Sequence, residues 1–108
     1  MSFFELPILA IVIPCYNEEE VLPITAPIFQ SKIQFLINKE VIYKKSKIVF
    51  IDDGSKDSTW NIIEEFSKHS NYYTGIRLSR NRGHQNAVYA GLMDCKDWAN
   101  ITISIDCD

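Results

Sequence analysis

Glycine is scarce in this chain: there are four in 108 residues, and none precedes Gly54. A glycine-rich loop cradling phosphates after a first strand is therefore excluded. Cysteine is also sparse. Cys15, Cys95 and Cys107 form no CxxC pair and no Cys/His cluster, and their odd number argues against a disulfide framework and for a reducing, cytosolic setting. The N-terminal segment Met1 to Pro7 lacks a basic region, and Glu5 and Pro7 interrupt its apolar stretch, so it reads as neither a signal peptide nor a membrane span. Charge of one sign is lacking as well. A formal net charge of −3, with the lysines densest only at Lys39, Lys44, Lys45 and Lys47, gives no footprint for nucleic acid. No repeat, low-complexity tract or Gly/Ser linker divides the chain, and 46% hydrophobic content suits one domain or part of one.

What is present is a set of short apolar runs, each ending in polar or acidic residues: Ile8 to Pro14, Lys47 to Ile51, Thr74 to Leu78 and Ile101 to Ile105. Nearly continuous Ile/Val-rich runs of this length are the mark of strands buried on both faces, as in parallel sheets. Helical spacing fills the gaps, over Ile24 to Asn38, Ser58 to His69 and Gly83 to Asp94. In the first helix Ile28, Phe29, Ile33, Leu36 and Ile37 are expected on one face. In the second, Asp57 or Ser58 is the expected N-cap and Trp60 packs at the start. The small residues Ala87, Ala90 and Gly91 let the third lie close to a sheet. Strand alternating with helix predicts an α/β fold, an open and mostly parallel sheet with helices on both faces. The expected strand order is 3-2-1-4, with the acidic strand ends meeting at the switch point between strands one and four.

Ligands of such sheets bind beyond the carboxyl ends of the strands, where this chain carries its carboxylates. Asp52-Asp53-Gly54-Ser55-Lys56-Asp57 follows strand two. Its carboxylates can accept from a nucleobase N–H or ribose hydroxyls, although Asp, Gly and Ser are also ordinary turn residues. An EF-hand reading fails, because Ser58 stands at the required glycine and a strand precedes the loop. Asp106 and Asp108 alternate at the end of strand four, so both can point the same way and offer hard oxygen donors to Mg²⁺ or Mn²⁺. After strand one, Tyr16 can pack beside a planar base and Glu18 can accept a hydrogen bond, while Glu18 to Glu20 also suit a helix N-terminus. Arg80 offers a guanidinium fork for phosphate. Arg82 reads as a surface ion-pairing residue and His84 as a solvated or capping group. Cys15 and Cys107 follow strands expected to be neighbours and read as packing residues, since two thiols alone make a poor zinc site.

The series Ile11-Val12-Ile13-Pro14-Cys15-Tyr16-Asn17-Glu18, Val49-Phe50-Ile51-Asp52-Asp53-Gly54-Ser55-Lys56-Asp57, Ser79-Arg80-Asn81-Arg82-Gly83 and Ile105-Asp106-Cys107-Asp108 resembles the N-terminal half of family 2 inverting glycosyltransferases. Within that family it is similar to dolichyl-phosphate mannose synthase and bacterial polyprenyl-phosphate sugar transferases. The resemblance implies the GT-A fold, Rossmann-like and here truncated to its N-terminal half, with a UDP- or GDP-sugar donor and Mg²⁺ or Mn²⁺. It makes Pro14, Tyr16 and Glu18 the surround of the nucleoside, and gives Asp52 or Asp53 the base or ribose. Asp106 faces ribose and metal, and Asp108 ligates the metal. The acceptor implied is polyprenyl phosphate or a glycan, attacking C1 of the sugar with inversion.

The resemblance places the catalytic base, the acceptor site and any membrane helices beyond residue 108. Residues 1–108 are thus expected to be the nucleotide-sugar-binding half of a glycosyltransferase domain, able to bind donor nucleotide and not to turn over. The whole protein is expected at the cytoplasmic face of a membrane, and a homo-oligomer is left open. Competing readings are a response-regulator receiver domain, which needs its acidic pair after strand one, a sugar nucleotidyltransferase, which needs the missing glycine loop, and a non-catalytic nucleotide-binding module on the same fold.

Overall fold

The computed structural model describes residues 5–107. Strands β1 (Leu9–Cys15), β2 (Lys47–Asp52), β3 (Tyr73–Arg77) and β4 (Ile101–Ser104) alternate with helices α1 (Leu22–Asn38), α2 (Thr59–His69) and α3 (His84–Cys95). The sheet runs β3-β2-β1-β4 with every neighbouring pair parallel, as the run spacing predicts. Val12 sits opposite Val49 on one side and Ser104 on the other, which fixes β1 as the central strand from which the order reverses.

All seven residues of β1 are buried, and β2 is buried from Ile48 onward. Alternation divides them between two cores. Ile11, Ile13, Cys15, Ile48 and Phe50 pack with Leu22, Ala26 and Ile33 of α1 and Ile63 of α2. Ala10, Val12, Val49 and Ile51 pack under α3 with Ala87 and Cys95. Each fully buried Ile, Phe or Val side chain contributes about 1.5–3 kcal/mol of transfer free energy. Gly91 is what lets α3 lie so close. A Cβ there would stand 2.6 Å from both Ile51 Cδ1 and Val12 Cγ1.

Three local expectations need correction. Helix α1 begins at Leu22, earlier than Ile24, and its buried stripe is Leu22, Ala26 and Ile33 with Phe29, Leu36 and Ile37 partly buried. Ile28 falls off that stripe and is 54% exposed. At the start of α2 the cap is made by Asp57, one residue outside the N-cap position, whose Oδ1 accepts from the Thr59 N–H at 2.9 Å. Trp60 does pack there, with the Arg77 guanidinium over its ring. Finally, β4 is exposed along its whole length, Ile101 and Ile103 included. It reads as a doubly buried strand from composition, but it lies at the edge of the described sheet.

Candidate functional site

Beyond the carboxyl ends of β1 and β4, at the switch point, an open cleft of about 340 Å³ is lined by Pro14, Tyr16, Glu18, Asp53, His84 and Asp106, with Cys15, Asn81, Gly83 and Cys107 completing it. Its walls are loops held by side-chain acceptors. Asn17 takes a left-handed conformation (φ 53°), which asparagine tolerates better than most residues. Its Oδ1 accepts from the Lys56 N–H at 2.9 Å, and its own N–H donates to Ser55 Oγ at 2.8 Å. The Glu18 N–H donates to Thr59 Oγ1 at 2.8 Å, and the Glu19 N–H to Asp57 Oδ2 at 3.3 Å. The turn after β1 and the turn after β2 are thus stitched together by the polar residues of both motifs.

Asp52, the last residue of β2, and Asp53, which follows it, point to opposite faces of the sheet. Asp53 lines the cleft and is 3% exposed. Its Oδ1 accepts from the Arg82 N–H at 2.7 Å and its Oδ2 from the Gly83 N–H at 3.1 Å, so it ties the segment before α3 to the end of β2. Each carboxylate oxygen keeps a lone pair beyond those bonds. Asp52 is not among the lining residues. It is fully buried, its Oδ1 accepts from the Ser55 N–H at 3.1 Å, and its Oδ2 has no hydrogen-bond partner and lies 4.0 Å from Arg77 Nε. Gly54 makes this corner possible. At φ 69° it lies so close to the chain after β3 that a Cβ would meet the Arg80 carbonyl carbon at 2.3 Å.

Arg80 is exposed and is not among the lining residues either. The sequence left His84 as a capping or solvated group, but the structure sets it on the cleft, with Nε2 3.4 Å from Asp106 Oδ1. Both side chains are well exposed, 61% and 71%, so the pair contributes little to stability. Sequence reasoning gave no site role to Asn17, Ser55, Asp57 and Thr59. The signal of the first three was present, because they stand inside the motifs, whereas Thr59 lies just beyond them at the start of α2, and what all four contact is set by tertiary pairing.

Cys15 and Cys107 form part of the cleft floor and are buried. A hydrogen bond with Cys107, burial, and the negative charges of Glu18 and Asp52 push the Cys15 thiol well above its ordinary range. Asp57 shows the opposite balance. Burial raises its pKa, but hydrogen bonds from the Thr59 hydroxyl and from the Thr59 and Glu19 N–H groups outweigh it and hold the carboxyl below the usual range.

Among the described residues no group of three or more His, Cys, Asp or Glu converges on one point. Asp106 brings one carboxylate to the cleft, and Asp108 lies outside the described residues. One or two carboxylates completed by substrate phosphate oxygens are how Mg²⁺ is commonly held, so this donor set fits an ion shared with a diphosphate and not a cage closed by protein alone.

A parallel sheet in the order β3-β2-β1-β4, with helices on both faces and an acidic cleft at the switch point, is part of the GT-A fold of nucleotide-sugar-dependent transferases. The chain belongs to glycosyl transferase family 2, whose family model matches residues 10–108. It is 45% identical over 102 residues to the uncharacterized glycosyltransferase YkoT of Bacillus subtilis (strain 168), covering 94% of this chain and 30% of that protein. It is 36% identical over 100 residues to the undecaprenyl-phosphate 4-deoxy-4-formamido-L-arabinose transferase of Shewanella sediminis (strain HAW-EB3), covering 92% and 28%. The chain therefore spans about three-tenths of the length of these relatives. Among solved structures, the mannosyltransferase PcManGT from Pyrobaculum calidifontis in complex with GDP-Man and Mn²⁺ aligns with a TM-score of 0.67 at 21% identity, covering 96% of this chain and 28% of that one. S. aureus TarS 1-349 in complex with UDP-GlcNAc aligns with a TM-score of 0.65 at 20% identity, covering 94% and 26%. At that identity the likeness shows the fold. Family membership also ends the receiver-domain reading, and β1 runs into Pro14, Cys15 and Tyr16 where a receiver carries its acidic pair.

Proposed function

We propose that this chain binds the nucleoside diphosphate of a UDP- or GDP-sugar, and that the whole protein transfers the sugar, with inversion, to polyprenyl phosphate or a glycan. The observation that carries the reading is the convergence of Pro14, Tyr16, Glu18, Asp53 and Asp106, drawn from three separate motifs, on one cleft at the switch point. Tyr16, 39% exposed, offers a ring face to a base. Glu18 and Asp53 offer acceptors to base or ribose N–H and O–H groups. Asp52 acts behind them by holding the Ser55 turn. Arg80, exposed beside this region, reaches a phosphate only if its side chain swings toward the cleft.

Asp106 and Asp108 would hold the Mg²⁺ or Mn²⁺. When bound, such an ion supplies Lewis-acid neutralisation of charge on the departing diphosphate. The acceptor class is suggested by the undecaprenyl-phosphate transferase among the relatives. It sets the reaction at a membrane surface, and we assign the cytoplasmic face. No helix among the described residues is long and apolar enough to cross a membrane.

Isothermal calorimetry of residues 1–108 with UDP and GDP, with and without Mn²⁺, tests the proposal. Weak binding strengthened by Mn²⁺ is expected, with no sugar transfer from a nucleotide sugar to polyprenyl phosphate. Absence of heat with both nucleotides in the presence of Mn²⁺ would overturn the assignment of the cleft. Transfer by this chain alone would overturn the placement of the base and acceptor site beyond residue 108.

A further inference from the structure

Among the described residues lining the cleft, the thiols of Cys15 and Cys107 are a pair of oxidisable groups for which donor binding has no use. Strands β1 and β4 pair as far as Val12 opposite Ser104, and the Ile105 N–H continues the ladder by donating to the Val12 carbonyl at 3.0 Å. Carried three residues further, the same register sets Cys15, the last residue of β1, opposite Cys107, which follows the end of β4. Strand β1 is still straight there, since Cys15 pairs with Asp52 on its other side. Neighbouring strands run about 4.8 Å apart. That lies inside the roughly 4.4–6.8 Å between Cα atoms that a disulfide spans. Both side chains belong to the same core cluster, so they point to the same face of the sheet, and both line the cleft, with Cys107 near enough to Cys15 to raise its pKa.

We propose that Cys15 and Cys107 are a modification site, an intrachain disulfide formed by oxidation with a small hydroperoxide that enters through the cleft. In the first step one sulfur attacks the outer peroxide oxygen. The O–O bond breaks, an alcohol leaves (water from hydrogen peroxide), and the sulfur becomes a sulfenic acid. In the second step the other sulfur attacks it, the S–O bond breaks and water leaves. Two thiols and one hydroperoxide thus give one disulfide, one alcohol and one water, the sulfurs losing two electrons and the peroxide gaining them. Reaction is slow, because a buried thiol with a raised pKa holds little thiolate at neutral pH. Once formed, the bridge joins the turn carrying Tyr16 to the segment carrying Asp106 and fixes the width of the cleft floor.

Cys95 serves as the internal control, being buried in the other core under α3. The chain is incubated with hydrogen peroxide, denatured under acid, and its thiols are counted. Three thiols should fall to one, the intact mass should drop by two hydrogens, and a non-reducing digest should yield one linked peptide pair containing Cys15 and Cys107. In Cys95→Ala the count should fall from two to none, a check that does not disturb the proposed pair. Persistence of all three thiols overturns the proposal. So do a mass gain of oxygen without a bridge, a bridge to Cys95, or a disulfide-linked dimer. None of these readouts involves a nucleotide, so failure here is distinct from failure of the donor-binding reading.

Discussion

Replacing Asp53 with asparagine separates what this carboxylate does for the protein from what it does for a ligand. Its two oxygens accept from the Arg82 and Gly83 N–H groups at 2.7 and 3.1 Å, in a position 3% exposed. Asparagine keeps the shape but turns one oxygen into an NH₂ group, so in either flip a backbone N–H faces another donor. Losing one charge-assisted hydrogen bond at a buried site costs on the order of 1.5–3 kcal/mol. The surviving bond weakens too, because a neutral acceptor replaces an ionised one. A loss of about 2–3 kcal/mol is expected, a large share of the roughly 5–15 kcal/mol of a small domain. Urea unfolding followed by far-UV circular dichroism reads it directly. With a slope of about 1–3 kcal/mol per molar, the midpoint should fall by about 0.7–3 M. Asp106→Asn is the comparator. Its side chain is 71% exposed, so the midpoint should hardly move, within about 0.5 kcal/mol. An unchanged midpoint for Asp53→Asn, or a larger loss at Asp106 than at Asp53, would refute the claim that Asp53 anchors the segment before α3.

Gly91→Val should destabilise the chain, because its Cβ alone would stand 2.6 Å from Ile51 Cδ1 and Val12 Cγ1, and overpacking costs about 1–3 kcal/mol. Thermal denaturation checks this, and an unchanged midpoint would contradict the close seating of α3. Tyr73→Phe removes the hydroxyl that donates to the Ala26 carbonyl at 3.0 Å and should cost about 0.5–1.5 kcal/mol. Burial pushes that phenol up to about 12, so in the wild-type chain Tyr73 should reach half of its tyrosinate absorbance only near that pH while the fold persists, well above an exposed tyrosine. For Asp57, hydrogen bonds outweigh burial and depress the folded pKa, so its stabilisation is complete above the unfolded value near 4 and is lost as pH falls through the folded value. Asp57→Asn should therefore unfold more easily than wild type at pH 7 and match it in strong acid, in parallel urea titrations at the two pH values.

The sheet order was legible because it depends on features a linear sequence carries: run length, β-branched content and the alternation of strand with helix. The position of the cleft was legible for the same reason, since it follows from the order. What could not be read was which of two adjacent residues does what. Asp52 and Asp53 are equivalent as letters, and only the parity of β2 relative to the two cores sends one under α1 and α2 and the other into the cleft. His84 is solvated, as expected, but its place beside Asp106 was not legible. A lone histidine at a helix start has many uses, and its approach to Asp106 depends on β4 returning beside β1. Ile28 and the exposed β4 show the limit of composition. An apolar residue reports that burial is favourable, not that a neighbour is present to provide it.

The acidic cleft carries an electrostatic consequence for the proposed ligand. The N–H groups just before and at the start of a helix are a common seat for phosphate. In this chain the Arg82 and Gly83 N–H groups ahead of α3 are already taken by the Asp53 carboxylate. Glu18, Asp53 and Asp106 line the cleft, and its described lining contains no lysine or arginine, only His84 beside Asp106. A diphosphate entering such a cleft meets like charge, with the Arg82 and Gly83 N–H groups occupied and no guanidinium among the described lining residues to offset it. An added divalent cation meets the need, and the carboxylates that repel the diphosphate are the groups that attract the ion. Diphosphate affinity should therefore depend on Mn²⁺ far more steeply than nucleoside affinity does. Calorimetric titration of UDP against uridine, or GDP against guanosine, at several Mn²⁺ concentrations measures that difference. Equal metal dependence for the nucleoside and its diphosphate would mean that the cleft's negative field is not what the metal answers.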